Sequence, residues 1–295
     1  MTTGALQLHV TRHPHKQYKL QYEQIIGLEE HQKQLLGTLQ LILDHSGLKK
    51  WKDKHHPKGK MFIDTDSSFT PLIILSGDVG CGKTELATSI ATPLAHAMGN
   101  IVIHCFETPS DIRGGGHVGE LSARITAAFE QAHSKLPKGE HGVLIIDEAD
   151  DLATSRSQNQ AHHEDRAGVN VLIKEVERIS RDKINLAVIM ITNRFDALDP
   201  AVIRRASLHL EFKRPKPEHL KPMFEYLLMG IETTDAEYKK LIDACKEKTP
   251  LFSFSDIRKR VANQALIAAM SGDEPLSAEL LLDIISKTNP SPSIL

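Results

Sequence analysis

Through the middle of the chain, apolar runs alternate with segments of helical period. Pro71–Ser76, Ile101–Phe106, Val143–Ile146, Leu186–Thr192 and Leu208–Phe212 read as strands. Their Ile, Leu and Val runs suit parallel strands buried on both faces. Between them, Glu85–Ala97, Glu120–Lys135 and Val169–Ser180 read as helices. The alternation predicts an α/β fold, doubly wound around a parallel five-stranded sheet. Upstream, Leu35, Leu36, Leu39, Leu41 and Ile42 recur at helical spacing within Glu29–His45. After Arg214-Pro215-Lys216-Pro217 the pattern changes, and Glu218–Ser286 is helix after helix. This predicts a C-terminal all-helical lid, with the prolines marking the boundary. Residues 1–22 are polar and rich in His, Lys and Gln, as expected of a flexible or partner-docked arm, and Lys49–Lys60 reads as a basic connection. The expected division is an arm at 1–24, a large α/β subdomain at 25–214 and a small helical subdomain at 215–295.

One stretch within this pattern carries specific chemistry. Gly77-Asp78-Val79-Gly80-Cys81-Gly82-Lys83-Thr84 fills every fixed position of G-x-x-x-x-G-K-S/T. It lies between a predicted strand and the helix that Glu85 opens. Glycines let successive backbone N–H groups curl around phosphate oxygens. The helix that follows directs its positive end at the same anion. Lys83 would reach the β- and γ-phosphates of ATP, and the Thr84 hydroxyl would ligate Mg²⁺.

A second acidic element follows. Val143-Leu144-Ile145-Ile146-Asp147-Glu148 is a buried strand ending in two carboxylates, at the carboxyl edge where such sheets bind ligands. Asp147 suits a magnesium ligand, and Glu148 suits a group that orients the attacking water. Asn193 ends the next strand, where a neutral amide can hold that water or read the γ-phosphate; an ordinary Asn turn fits its position equally well. Arg204 and Arg205 close a short helix predicted from Pro200. They fit either solvated arginines at a helix end or an arginine finger for a neighbouring subunit's nucleotide.

Composition removes several alternatives. With 36 Lys+Arg against 38 Asp+Glu, the 295-residue chain has a formal charge of −2. That balance speaks against a protein that coats nucleic acid. Cys81, Cys105 and Cys245 are too few and scattered for a disulfide framework. No signal pattern or membrane-length apolar run is visible, so a cytoplasmic protein without a membrane partner is expected. The pairs His55-His56 and His162-His163 lack ligand spacing and read as solvated loop.

Together these residues resemble the AAA+ ATPases, AAA clade, from Ile25 to about Ser286. Gly77–Thr84 is similar to the family's Walker A and Val143–Asp150 to its Walker B, and Asn193 falls on sensor 1. Thr192–Ala201 looks like the clade's second region of homology, which implies that Arg204 and Arg205 are arginine fingers. Ile26-Gly27-Leu28-Glu29-Glu30 looks like the family's segment beside the adenine. Ser253-Phe254-Ser255-Asp256-Ile257 is similar to a lid stretch of the clade, but no sensor-2 arginine stands near Ser255, and Arg258 comes one turn later. His117-Val118-Gly119 occupies the place of the clade's aromatic–hydrophobic–glycine pore loop. The resemblance implies a homo-oligomer, a hexameric ring, that grips a protein through this loop. It is nearest the ATPases similar to the pachytene checkpoint protein. Those enzymes unfold part of HORMA-domain proteins, and their bacterial relatives are associated with antiphage signalling. The alternative is a nucleic-acid-directed ATPase such as a helicase or transposase loader.

Overall fold

A computed structural model describes residues 6–59, 61, 69–109, 120–149 and 163–293. The chain divides into two compact units. The first holds residues to 24, 30–76 and 84–211, and the second holds 25–29, 77–83 and 212–295.

The first unit is organised by a sheet of strands β1 (His9–His13), β2 (Leu72–Gly77), β3 (Ile103–Glu107), β4 (His141–Ile146), β5 (Leu186–Thr192) and β6 (Leu208–Phe212) in the order β1-β3-β4-β5-β2-β6. β3, β4, β5 and β2 pair in parallel, with Phe106 opposite Leu144, Ile145 opposite Ile189 and Leu75 opposite Ile191. Every residue of β2 and β5 is buried, as central strands covered on both faces require. The helices are α1 (Lys16–Glu23), α2 (Glu29–Leu43), α3 (His45–His55), α4 (Lys83–Ser89), α5 (Ala91–Ala97), α6 (Glu120–Lys135), α7 (His163–Arg181) and α8 (Pro200–Ile203). α7 buries Val169, Leu172, Val176 and Ile179, a stripe at spacings of three and four. Gly168 lets α6 come close, since a Cβ there would sit 2.8 Å from Leu121.

Several expectations are corrected. The sheet has six strands rather than five, because residues expected as an arm supply β1, paired antiparallel to β3 with Val10 opposite Phe106. Leu6 and Leu8 are buried, and the Gln131 side chain bonds the backbone of both. The segment expected as one helix over Glu85–Ala97 is two, α4 and α5. Pro93 has no N–H for the Ser89 carbonyl, which interrupts the ladder there. The basic connection after Leu48 is largely helical: α3 runs through it, with Asp44 accepting from the Gly47 N–H at its start. His55 and His56 lie against the Trp51 ring. Among the described residues no cluster of three His, Cys, Asp or Glu could hold a metal, and no helix is long and apolar enough to cross a membrane.

The second unit is helical, with α9 (Pro217–Leu227), α10 (Asp235–Lys246), a π-helical stretch Asp256–Val261, α11 (Ala262–Gly272) and α12 (Ala278–Lys287). Thr234 and Glu237 form a reciprocal capping box at the start of α10. Ser277 caps α12 by accepting from the Leu280 N–H. Phe224, Leu241, Phe252, Ile257, Val261 and Ile285 fill the core of this unit.

β1 is held at its end by a buried histidine. His13 shares a 2.7 Å hydrogen bond through Nδ1 with the Thr92 hydroxyl, and its Nε2 is buried without a partner among the described residues. Burial first, and the neighbouring His15 second, push its pKa down to about 4. The unfolded imidazole titrates near 6.5. Between those values the unfolded chain binds a proton that the folded chain refuses. The stabilisation is therefore complete above about pH 6.5 and lost as pH falls toward 4, on the order of 3 kcal/mol. Urea unfolding at pH 7 and pH 4.5 should show this dependence reduced in His13→Gln; an unchanged difference would assign the acid sensitivity elsewhere.

Candidate active site

In the first unit, β5 lies between β4 and β2, with Ser76 opposite Thr192 and Ile146 opposite Met190. The carboxyl ends of these strands therefore lie side by side. Asp147 and Glu148 follow β4, and Asn193, half-buried, follows β5 between the ends of the other two. Thr84 donates its hydroxyl proton to Asp147 Oδ2 at 2.9 Å. The other carboxylate oxygen accepts the Glu148 N–H at 2.8 Å. Glu148 is exposed and has φ +53°. Left-handed backbone is uncommon outside glycine and concentrates where function demands it. A hydroxyl and a carboxylate within hydrogen-bond distance form a hard oxygen donor pair. Such a pair fits Mg²⁺, which takes one or two protein oxygens and completes its shell with water and phosphate.

The second unit holds the glycine-rich loop. Gly77, Gly80 and Gly82 all have positive φ, at +126°, +73° and +95°. Two of them also permit contacts that a side chain would block. A Cβ on Gly77 would meet the Phe212 carbonyl oxygen at 2.0 Å, and one on Gly80 would meet Ser253 and Ser255 at 2.8 Å. Lys83 is buried, and its Nζ donates to the carbonyls of Gly77 and Asp78 at 2.8 and 2.7 Å. The ammonium is thus held inside the curve of the loop, where it can meet a phosphate. Cys81 is buried, and burial, reinforced by Asp78, pushes its thiol up to about 11. It therefore stays a protonated thiol at neutral pH. The Ile25–Glu29 segment belongs to this same unit. Gly27 has φ +75° and donates its N–H to Glu29, and Leu28 comes close to Gly82.

The chain matches the model of the ATPase family associated with various cellular activities (AAA) over residues 73–214. Over 283 residues it is 38% identical to CD-NTase-associated protein 6 of Escherichia coli strain MS 115-1, spanning 92% of this chain and 90% of that protein. This chain belongs to the AAA ATPases. Its fold superposes with a TM-score of 0.90 at 35% identity on a chain of the E. coli MS115-1 HORMA:CdnC:Trip13 complex, covering 100% of this chain and 99% of the other. With Rhizobiales Trip13 the TM-score is 0.75 at 29% identity, covering 96% and 98%. As a member of this family the protein binds nucleotide and hydrolyses ATP.

Within the AAA ATPase the two candidate fingers have different surroundings. α8 is capped by Asp199, which accepts from the Ala201 N–H at 2.8 Å, with Pro200 at its first position. Arg205 gives Nε and Nη2 to Glu177 Oε1 at 3.0 and 2.8 Å and Nη1 to the Ala201 carbonyl. Arg204 is exposed, with no ion pair among the described residues. In the helical unit the Arg258 guanidinium lies over the Tyr226 ring at 5.5 Å. His117, Val118 and Gly119 lie outside the described residues. Sequence reasoning missed Arg214, which bonds Asp78 of the glycine-rich loop at 2.5 Å. No motif spacing signals a partner so distant along the chain.

Proposed function

We propose that this ATPase remodels a folded protein partner, and that the partner is a HORMA-domain protein within a bacterial antiphage signalling system. The observation that carries the reading is the extent of one likeness. The whole chain superposes on a chain of a HORMA:CdnC:Trip13 complex at a TM-score of 0.90, with neither chain left unmatched beyond 1%. The likeness to CD-NTase-associated protein 6 also runs over nine-tenths of both chains.

In this reading the protein works in the cytoplasm as a homo-hexameric ring. Lys83 and the backbone N–H groups of Gly77–Lys83 hold the phosphates, with Ile26 and Gly27 on the adenine side and Glu85 in the first turn of α4. Thr84 and Asp147 would hold Mg²⁺, which would offset phosphate charge. Glu148, set by its left-handed backbone beside Asp147, takes a proton from the attacking water, and Asn193 orients that water from the end of β5. Arg204, free of the pairing that engages Arg205, serves the nucleotide of the neighbouring subunit. His117-Val118-Gly119 grips the partner's polypeptide. An imidazole there grips less firmly than the clade's aromatic ring.

The test is a trap. Glu148→Gln loaded with ATP in lysate of the native source should retain a HORMA-fold protein, identified by mass spectrometry. Retention should fail when His117→Ala and Val118→Ala are added. Recovery of replication or transposition proteins with DNA instead would overturn the reading in favour of a loader.

A further inference from the structure

A carboxylate is an unexpected occupant of a loop built to receive a triphosphate, because its charge repels the ligand. Asp78 is such a residue, and it is buried. Its Oδ1 accepts the Val79 N–H at 2.9 Å, so that oxygen serves the turn itself. Its Oδ2 accepts from Arg214 Nε at 2.5 Å and from the Ser293 hydroxyl at 2.7 Å. The rest of the guanidinium reaches other segments of the same unit. Arg214 Nη1 donates to the Leu251 carbonyl and Nη2 to the Pro292 carbonyl, the latter at 2.9 Å.

A second buried carboxylate stands on the far side of this arginine. Asp256 Oδ2 lies 4.0 Å from Arg214 Nη1 and accepts from Ser253 and from both the N–H and the hydroxyl of Ser291. The Ser255 N–H closes the circuit onto the Gly80 carbonyl of the phosphate loop at 3.0 Å. Three stretches distant in sequence, 77–80, 251–256 and 291–293, thus meet at one guanidinium. The planar fork of an arginine can serve several acceptors in fixed directions, which a lysine cannot. Both partners of the Arg214–Asp78 pair are almost fully buried, with side chains 7% and 3% exposed. Such burial lets a pair define a geometry rather than merely decorate a surface.

We propose that Arg214 is a positioning residue for ATP. It cancels the charge of Asp78 and moors the phosphate loop to the 251–256 segment and the 291–293 segment, so the shape of the loop follows the helical unit. Ser293 is the second mooring. Neither residue touches nucleotide in this account; both act through Asp78.

The test compares nucleotide affinity, steady-state kinetics and melting temperature in the full chain. Arg214→Met should weaken binding of a fluorescent ATP analogue, and raise KM for ATP, by roughly 10-fold, with a smaller change in kcat. Arg214→Lys should recover part of that loss. If Arg214→Met leaves Asp78 stranded and the protein fails to fold, the double variant Asp78→Ala with Arg214→Met removes both buried charges and should melt close to the parent. Its affinity should stay low, because the mooring is gone. Ser293→Ala removes one exposed hydroxyl and should weaken binding a few-fold at an unchanged melting temperature. Affinity restored along with stability in the double variant would overturn the proposal and leave a purely structural ion pair. Parental affinity in Ser293→Ala would remove Ser293 from the mooring.

Discussion

Glu148→Gln should bind ATP about as tightly as the parent while turnover falls by roughly 10²- to 10⁴-fold, the range for losing a positioned general base. The amide keeps the size of the side chain and the left-handed backbone at φ +53°, but it cannot accept a proton from water. Lys83→Ala should fail at the earlier step. A charge-assisted hydrogen bond contributes about 1.5–3 kcal/mol, so its loss weakens nucleotide binding by roughly 10- to 100-fold. The alanine also releases the Gly77 and Asp78 carbonyls from their ammonium donor, which adds to the loss. Fluorescent-nucleotide titration with single-turnover hydrolysis separates the two variants. Glu148→Gln turning over at the parental rate would remove Glu148 from the base role.

The second large effect concerns the adjacent arginines. Arg204→Ala should lower kcat by about 10³-fold, the lower end of what an arginine finger supplies, with ATP affinity preserved. Arg205→Ala should change kcat only a few-fold. Its guanidinium is engaged with Glu177 and the Ala201 carbonyl, and removing a half-exposed pair of this kind costs up to about 1 kcal/mol of stability. Mixing decides whether the finger acts between subunits. Arg204→Ala keeps an intact nucleotide site and lacks the finger, whereas Lys83→Ala lacks the site and keeps the finger. A mixture of the two should regain activity that neither shows alone. No recovery in mixed assemblies would mean that Arg204 acts within its own chain, or not at all.

The sequence by itself determined the central strands, the nucleotide motif and the acidic strand end. Each depends on residues adjacent in the chain, where a buried run or a fixed spacing of glycine, lysine and threonine has few other physical explanations. β2, β4 and β5 were legible because burial on both faces removes polar residues from them. The edge strand β1 was not, because its residues read exposed, exposed, half-buried, exposed and buried and its place depends on β3, some ninety residues away. α3 was obscured by its lysines and histidines, which suit a solvated helix as well as a loop. The tertiary structure alone decided what long-range pairing controls. It set Thr84 against Asp147, gave Arg205 to Glu177 while leaving Arg204 exposed, and brought Arg214 and Ser293 to Asp78. Local propensity is written into neighbouring residues, whereas the partner of a buried charge is chosen by the fold that brings the two together and excludes water from between them.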